Sequence, residues 1–124
     1  MSFFSDDMKK RTKAIGVAVI RLINGLPARA VSFRVMDQII SSATSIGANF
    51  RAACRAKSSA DFINKLKIVE EETDETMFWI EVLNESEIIS KDKTEKLYKE
   101  LDEILSIVVS SINTSRSKSN RYAK

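Results

Sequence analysis

The 124-residue chain has no histidine and one cysteine, Cys54. Catalysis through a His-activated nucleophile and metal ligation through imidazole are therefore excluded. Cys54 falls on an apolar stripe at helical spacing, the setting of a buried structural thiol rather than a reactive one. Among the carboxylates, Glu71 with Glu75, or Glu72 with Glu75, has the spacing of a di-metal site in a helix bundle. Such sites also need a Glu-x-x-His element and inward-facing Glu residues on other helices. The positions between these acids are Thr73 and Thr76, so the stretch reads as an acidic, solvated face. Glu70–Glu72 could also pair with Lys or Arg of a neighbouring helix or subunit. Three glycines scattered singly cannot build a phosphate-cradling loop. No catalytic group, metal site or cofactor site emerges, and an enzyme is not expected.

The basic residues remain. Lys9, Lys10, Arg11 and Lys13 cluster in one turn. Arg51, Arg55 and Lys57 form a second group, followed by Lys65 and Lys67. Arg116, Lys118, Arg121 and Lys124 line the C-terminal segment, with Tyr122 as a potential stacking ring. In an up-down bundle these groups gather at one end, a basic pole able to hold RNA or DNA phosphates electrostatically. No base-reading motif is present, so such binding would follow shape and charge. A basic tail that only aids solubility is the other reading of the same residues.

Bulk numbers frame these residues. The net charge of +3 hides a strong asymmetry. Residues 1–67 carry 12 Lys/Arg against 4 Asp/Glu, residues 68–104 carry 4 against 13, and residues 105–124 carry 4 against none. The chain is basic at both ends and acidic in the middle. One Pro and three Gly leave little room for tight turns between short strands, which favours an all-α protein. The most apolar run, Ala14 to Leu26, contains Arg21 and Asn24 and is too short to cross a bilayer. With a single thiol and no secretory leader pattern, the expected setting is soluble, reducing and cytoplasmic, without a membrane.

Four helices would position these groups. The first should start near Ser5 and run to about Leu26, with Met8, Ile15, Ala18, Leu22 and Leu26 on one face. Asn24-Gly25-Leu26-Pro27 ends it. The second follows Ser32 and carries Met36, Ile40, Ala43, Gly47, Phe50 and Cys54 at 4-3-4-3-4 spacing. Ile39, Ile46, Asn49 and Ala53 lie on its flank, where Asn49 needs a hydrogen-bond partner. Gly47 in mid-helix costs about 1 kcal/mol relative to Ala, which a closely approaching neighbour helix would explain. The third is capped by Ser58 with Asp61 three residues on, and has an unbroken seam of Phe62, Leu66, Val69, Thr73, Thr76, Ile80 and Leu83. The fourth, with Asp92 and Glu95 offering a cap, turns Leu97, Leu101, Ile104, Leu105, Val108 and Ile112 inward.

The pattern predicts an up-down-up-down antiparallel four-helix bundle over residues 1–115 and a basic, frayed tail over 116–124. Apolar residues are left over. Val17, Val19 and Ile20 give the first helix a second greasy face, and Ile68, Phe78 and Val82 lie off the third helix's seam. These six are expected to bury against another copy in a homo-oligomer, ordinary scattered surface apolars being the other reading.

Within the second and third helices the chain resembles a known family. Ser45-Ile46-Gly47-Ala48-Asn49-Phe50-Arg51 is followed by Ser58, Asp61-Phe62-Ile63, Lys65 and Lys67-Ile68. Glu72, Asp74-Glu75-Thr76 and Phe78-Trp79-Ile80 complete the set, and Leu26-Pro27 before the second helix also fits. The pattern SxGANxR with downstream DFxxK and ETxxW is similar to that of the four-helix-bundle proteins first described as 23S rRNA intervening-sequence proteins. The likeness extends more weakly over about residues 8–113. Relatives often have an acidic residue where this chain has Ala52-Ala53. The resemblance implies side-by-side assembly of the bundles into a homopentameric barrel, and no enzymatic activity. Some relatives are encoded within insertions in ribosomal RNA genes. A related group serves as accessory factors that bind nucleic acid and a reverse transcriptase in diversity-generating retroelements. A non-enzymatic nucleic-acid-binding oligomer is thus the first expectation, and an interaction scaffold for such a partner the second.

Overall fold

Three links, at 25–32, 55–58 and 86–90, divide the chain into four helices: α1 (Phe3–Asn24), α2 (Phe33–Cys54), α3 (Ser59–Glu85) and α4 (Lys91–Tyr122). The computed structural model describes residues 3–122, with side chains from Phe4 to Lys118, and holds no strand among them. Serines set two of the starts. The Ser32 hydroxyl accepts from the Val35 N–H at 3.3 Å, and that of Ser58 from the Asp61 N–H at 3.1 Å, each satisfying an amide left open in the first turn. At α4 the Asp92 carboxylate lies inside the first turn, one position past the helix start. Hydrogen bonding from the Ser90 hydroxyl, then from first-turn amides, lowers its pKa.

The α3 seam is as the spacing predicts. Leu66, Val69, Thr73, Thr76, Ile80 and Leu83 are buried, and Phe62 is half-buried. In α1 and α2 the buried stripe is rotated from the expected one. α1 turns in Met8, Thr12, Ile15, Val19 and Ile23, leaving Ala18 and Leu22 half-buried. α2 turns in Ile39, Ser42, Ala43, Ile46, Phe50 and Ala53, so the predicted flank is the core face and Met36, Ile40 and Cys54 lie beside it. The glycines account for the rotation. A Cβ at Gly47 would stand 3.1 Å from the Lys13 Cα and N, and one at Gly16 would stand 3.3 Å from the Thr44 Cα. These two pairings run α1 and α2 antiparallel and bring their backbones so close that a side chain at either glycine would force its neighbour to give, more so at Gly47. Val19, expected on an outer face, is wholly buried in this core and cannot contact another copy.

Buried hydroxyls are satisfied locally, as buried polar groups must be. Thr12 donates to the Met8 carbonyl at 2.7 Å and Thr73 to the Val69 carbonyl at 2.6 Å. The Thr76 and Ser42 hydroxyls meet at 2.9 Å across α3 and α2. Asn49 finds its partner in the Ser45 carbonyl at 2.9 Å. One donor is an exception: the Trp79 indole N–H is buried without an acceptor among the described residues.

The link from α3 to α4 is tightly built. The Ile88 N–H donates to the Leu83 carbonyl and the Glu87 N–H to the Asn84 carbonyl, the paired bonds of a Schellman cap. Glu87 occupies the position usually held by glycine, with φ of 63°. The Asn84 amide then donates to the Ile89 carbonyl at 3.0 Å and to the buried Thr94 hydroxyl at 3.2 Å, fastening the start of α4 to the end of α3. α4 buries Leu101, Ile104, Val108 and Ile112, and continues helical past Ser115 to Tyr122, inside the stretch predicted to fray. α4 packs chiefly on α3 and touches α1 far less.

Candidate nucleic-acid interface

The ends of the four helices converge on one hollow of about 440 Å³. Phe4 and Ser5 from the start of α1 and Phe50, Ala53 and Cys54 from the end of α2 line it. So do Ser58, Ser59, Phe62 and Leu66 from the start of α3, and Ser111, Ser115 and Lys118 from the end of α4. Burial pushes the Cys54 thiol above its ordinary pKa, which keeps it neutral at physiological pH.

Around this end the predicted cations fall into distinct places. Lys9, Lys13 and Arg51 line a groove of about 260 Å³ between α1 and α2, whose other end is apolar Val17 and Ile20. The close approach at Gly16 and Gly47, which line the same groove, holds these three cations together. Lys9 is also 3.5 Å from the Asp6 carboxylate. Lys10, Arg55, Lys57 and Arg116 are exposed, and Lys65 is half-buried beside hollow-lining Leu66. Lys124 and the side chains of Arg121 and Tyr122 lie outside the described residues.

Arg11 departs from the predicted cluster. Its guanidinium turns across to α4, donating to the Glu100 carboxylate at 3.0 and 2.7 Å and to Glu103 at 2.9 Å. The bidentate pair, above all its hydrogen bonds, lowers the Glu100 pKa and raises that of Arg11. A cation held by two carboxylates is a poor phosphate ligand. Arg11 lines instead a hollow of about 610 Å³ between α1 and α4, together with Leu22, Leu97 and three lysines of α4, Lys93, Lys96 and Lys99. Sequence reasoning missed those lysines because they fall in the acidic stretch. Their spacing of three residues was the available signal.

Of the apolar residues assigned to assembly, Val17 (44%), Ile20 (37%) and Phe78 (54%) are exposed, whereas Ile68 and Val82 are half-buried. Phe78 stands edge-on to Trp79 at 5.3 Å. It rises from an acidic surface of Glu71, Asp74, Glu75, Glu81 and Glu85, all exposed. Glu72, half-buried there, has a raised pKa, first through desolvation and then through Glu75 and Glu71. Among the described residues, no group of three or more Cys, Asp or Glu side chains is placed to hold a metal ion. No described helix is long and apolar enough to cross a membrane.

Comparison with known proteins bears on the same region. A family model described as 23S rRNA-intervening sequence protein matches residues 6–110. A solved structure of a protein of unknown function from the S23 ribosomal protein family of Bacteroides thetaiotaomicron is similar, at 37% identity and a TM-score of 0.79. The match covers 85% of this chain and 97% of that one. No curated protein matches significantly. The match takes in the Gly47 contact, the α3 seam and all but the last turns of α4, and with it this chain belongs to the 23S rRNA-intervening sequence protein family.

Proposed function

We propose that the protein is a non-enzymatic, homo-oligomeric, cytoplasmic nucleic-acid-binding protein, an up-down-up-down bundle that holds RNA or DNA through the end where its cations gather. The carrying observation is the groove in which Lys9, Lys13 and Arg51 share one surface, next to the hollow walled by Lys118. Three cations lining one groove add their fields, which favours the phosphates of a strand laid along it. The family's description as 23S rRNA-intervening sequence proteins supports an RNA-related role. The convergence of four helix ends on one hollow supports the up-down topology. Exposed Val17, Ile20 and Phe78 support side-by-side assembly, with a pentamer as the expected number, which would repeat the cationic surface around a ring.

Binding titrated against salt tests the reading. A contact of three to five phosphates should give a log–log slope of about −2 to −4. Charge reversal at Arg51, Arg55 and Lys57 should flatten that slope and weaken binding. Light scattering after gel filtration gives the subunit number, and a monomer at micromolar concentration removes the assembly part. If no nucleic acid binds at low salt, the protein is an interaction scaffold for a partner such as a reverse transcriptase. Phe78, exposed within an acidic surface, favours that second reading, because such a face suits a basic protein partner.

A further inference from the structure

We propose that the hollow at the convergent helix ends receives one unpaired nucleobase of a bound single strand. The inference rests on the nucleic-acid reading above and adds a pocket to its charged surface. Three phenylalanine rings, Phe4, Phe50 and Phe62, stand in the hollow's wall. Phe50 is buried, Phe62 is half-buried, and Phe4, 49% exposed, leaves part of its ring open to a stacking partner. Base–aromatic stacking is the usual way proteins capture single-stranded bases. Serine hydroxyls at Ser59 and Ser115 add groups that both donate and accept, as the mixed edge of a base requires.

Size and charge agree with that occupant. About 440 Å³ lies within the range of small-molecule sites and admits a base with its sugar, but not a duplex. Cations stand where the flanking phosphates would run. Lys118 is in the wall, and exposed Arg55 and Lys57 alternate with hollow-lining Cys54, Ala56 and Ser58. The carboxylates at this end are Asp6, Asp7 and Asp61, and Asp6 is already paired with Lys9. A base locked in a duplex is stacked on both faces and paired on its edge, and cannot enter. The pocket therefore selects for single strands.

The test uses the full chain with a short mixed-sequence RNA, the same sequence as DNA, and each as a perfect duplex, all at one low salt concentration. Single strands should bind about 10-fold or more tightly than duplexes. Phe4→Ala, at a half-exposed position that leaves the core intact, should weaken single-strand binding about 10-fold, a share typical of one stacked base, and leave duplex binding unchanged. Cys54 reports on occupancy: its alkylation by a neutral maleimide should slow when single strand is present and not when duplex is. The RNA and DNA arms show whether the sugar is read as well. Equal binding of single and double strands, with no effect of Phe4→Ala and no protection of Cys54, overturns the pocket. If charge reversal at Arg51, Arg55 and Lys57 then still weakens binding, the basic surface stands without it. Absence of any binding overturns both.

Discussion

Glu87 sits where a helix C-cap calls for glycine, and replacing it with Gly should stabilise the protein. Its backbone is left-handed, with φ of 63°, and the surrounding bonds, Ile88 N–H to Leu83 and Glu87 N–H to Asn84, fix it there. A side-chain-bearing residue pays about 1–2 kcal/mol for that conformation. Glycine adopts it freely but loses about 0.5–1 kcal/mol more backbone entropy on folding. The carboxylate also lies at the negative end of the α3 dipole, and its removal returns a further ~0.3–1 kcal/mol. The balance for Glu87→Gly is a gain of about 1 kcal/mol. For a chain of this size that raises the melting temperature by about 3–6 °C. A series separates the causes. Glu87→Ala removes only the charge, Glu87→Asn removes the charge and tolerates the left-handed backbone, and Gly does both best. The expected order in urea or thermal denaturation at fixed protein concentration is Gly above Asn, Asn above Ala, and Ala near or slightly above Glu. A Gly variant no more stable than the Ala variant would refute the strained-cap reasoning.

Three further outcomes follow from the packing and electrostatics. Gly47→Ala gains about 1 kcal/mol in helix propensity but drives a Cβ to 3.1 Å from the Lys13 backbone, a packing cost of about 1–3 kcal/mol. A net loss of about 1 kcal/mol should appear in urea midpoints, with Gly16→Ala nearer to neutral. Arg11→Ala should cost about 1 kcal/mol of stability and leave nucleic-acid affinity and its salt slope unchanged, whereas Lys13→Glu should weaken binding; equal losses of affinity would show that Arg11 is not diverted to α4. Glu100 and Glu72 should respond to pH with opposite signs. Glu100 titrates below its ordinary value of 4.5, so the stability it contributes is present above 4.5 and lost as pH falls through its native pKa. Glu72 titrates above 4.5, so its favourable contribution exists below that value and is lost as pH rises through its native pKa. Urea midpoints should therefore rise for Glu72→Gln and fall for Glu100→Gln at pH 7, and both differences should shrink towards pH 3.

Two helix starts were legible in the sequence because α2 and α3 carry their own caps, whereas the predicted caps of α1 and α4, Ser5 and Asp92, lie inside those helices. Ser32 and Ser58 cap as their positions suggest, and the α3 seam from Leu66 to Leu83 is buried at each expected place. The facing of α1 and α2 was not, because α1 is apolar on more than one side and its period alone permits several rotations. What fixed the rotation was the pair Gly16 and Gly47, one on each helix, whose contact is tertiary. The site divides in the same way. Lys9, Lys13 and Arg51 are visible as cations in a sequence, but their shared groove depends on the α1–α2 approach. Arg11 reads as one more member of its cluster until Glu100, far along the chain, is seen to hold it. The rings and hydroxyls of the hollow lie in end turns of four different helices, so no local pattern could collect them.

The Arg11 clasp also bears on how the molecule opens. α4 is held along one side by α3, while its other side faces α1 across a hollow of about 610 Å³ spanned by the guanidinium. The contacts between successive helices join residues nearer along the chain, whereas this clasp joins positions 89 and 92 apart and closes a loop over most of the fold. Being ionic and partly solvated, it weakens with added salt, as the hydrophobic seams do not. α4 is therefore the leaf that swings first. Its amides should exchange with solvent as one cooperative unit ahead of the other three helices, and salt should hasten that exchange while the remaining three-helix core keeps its protection.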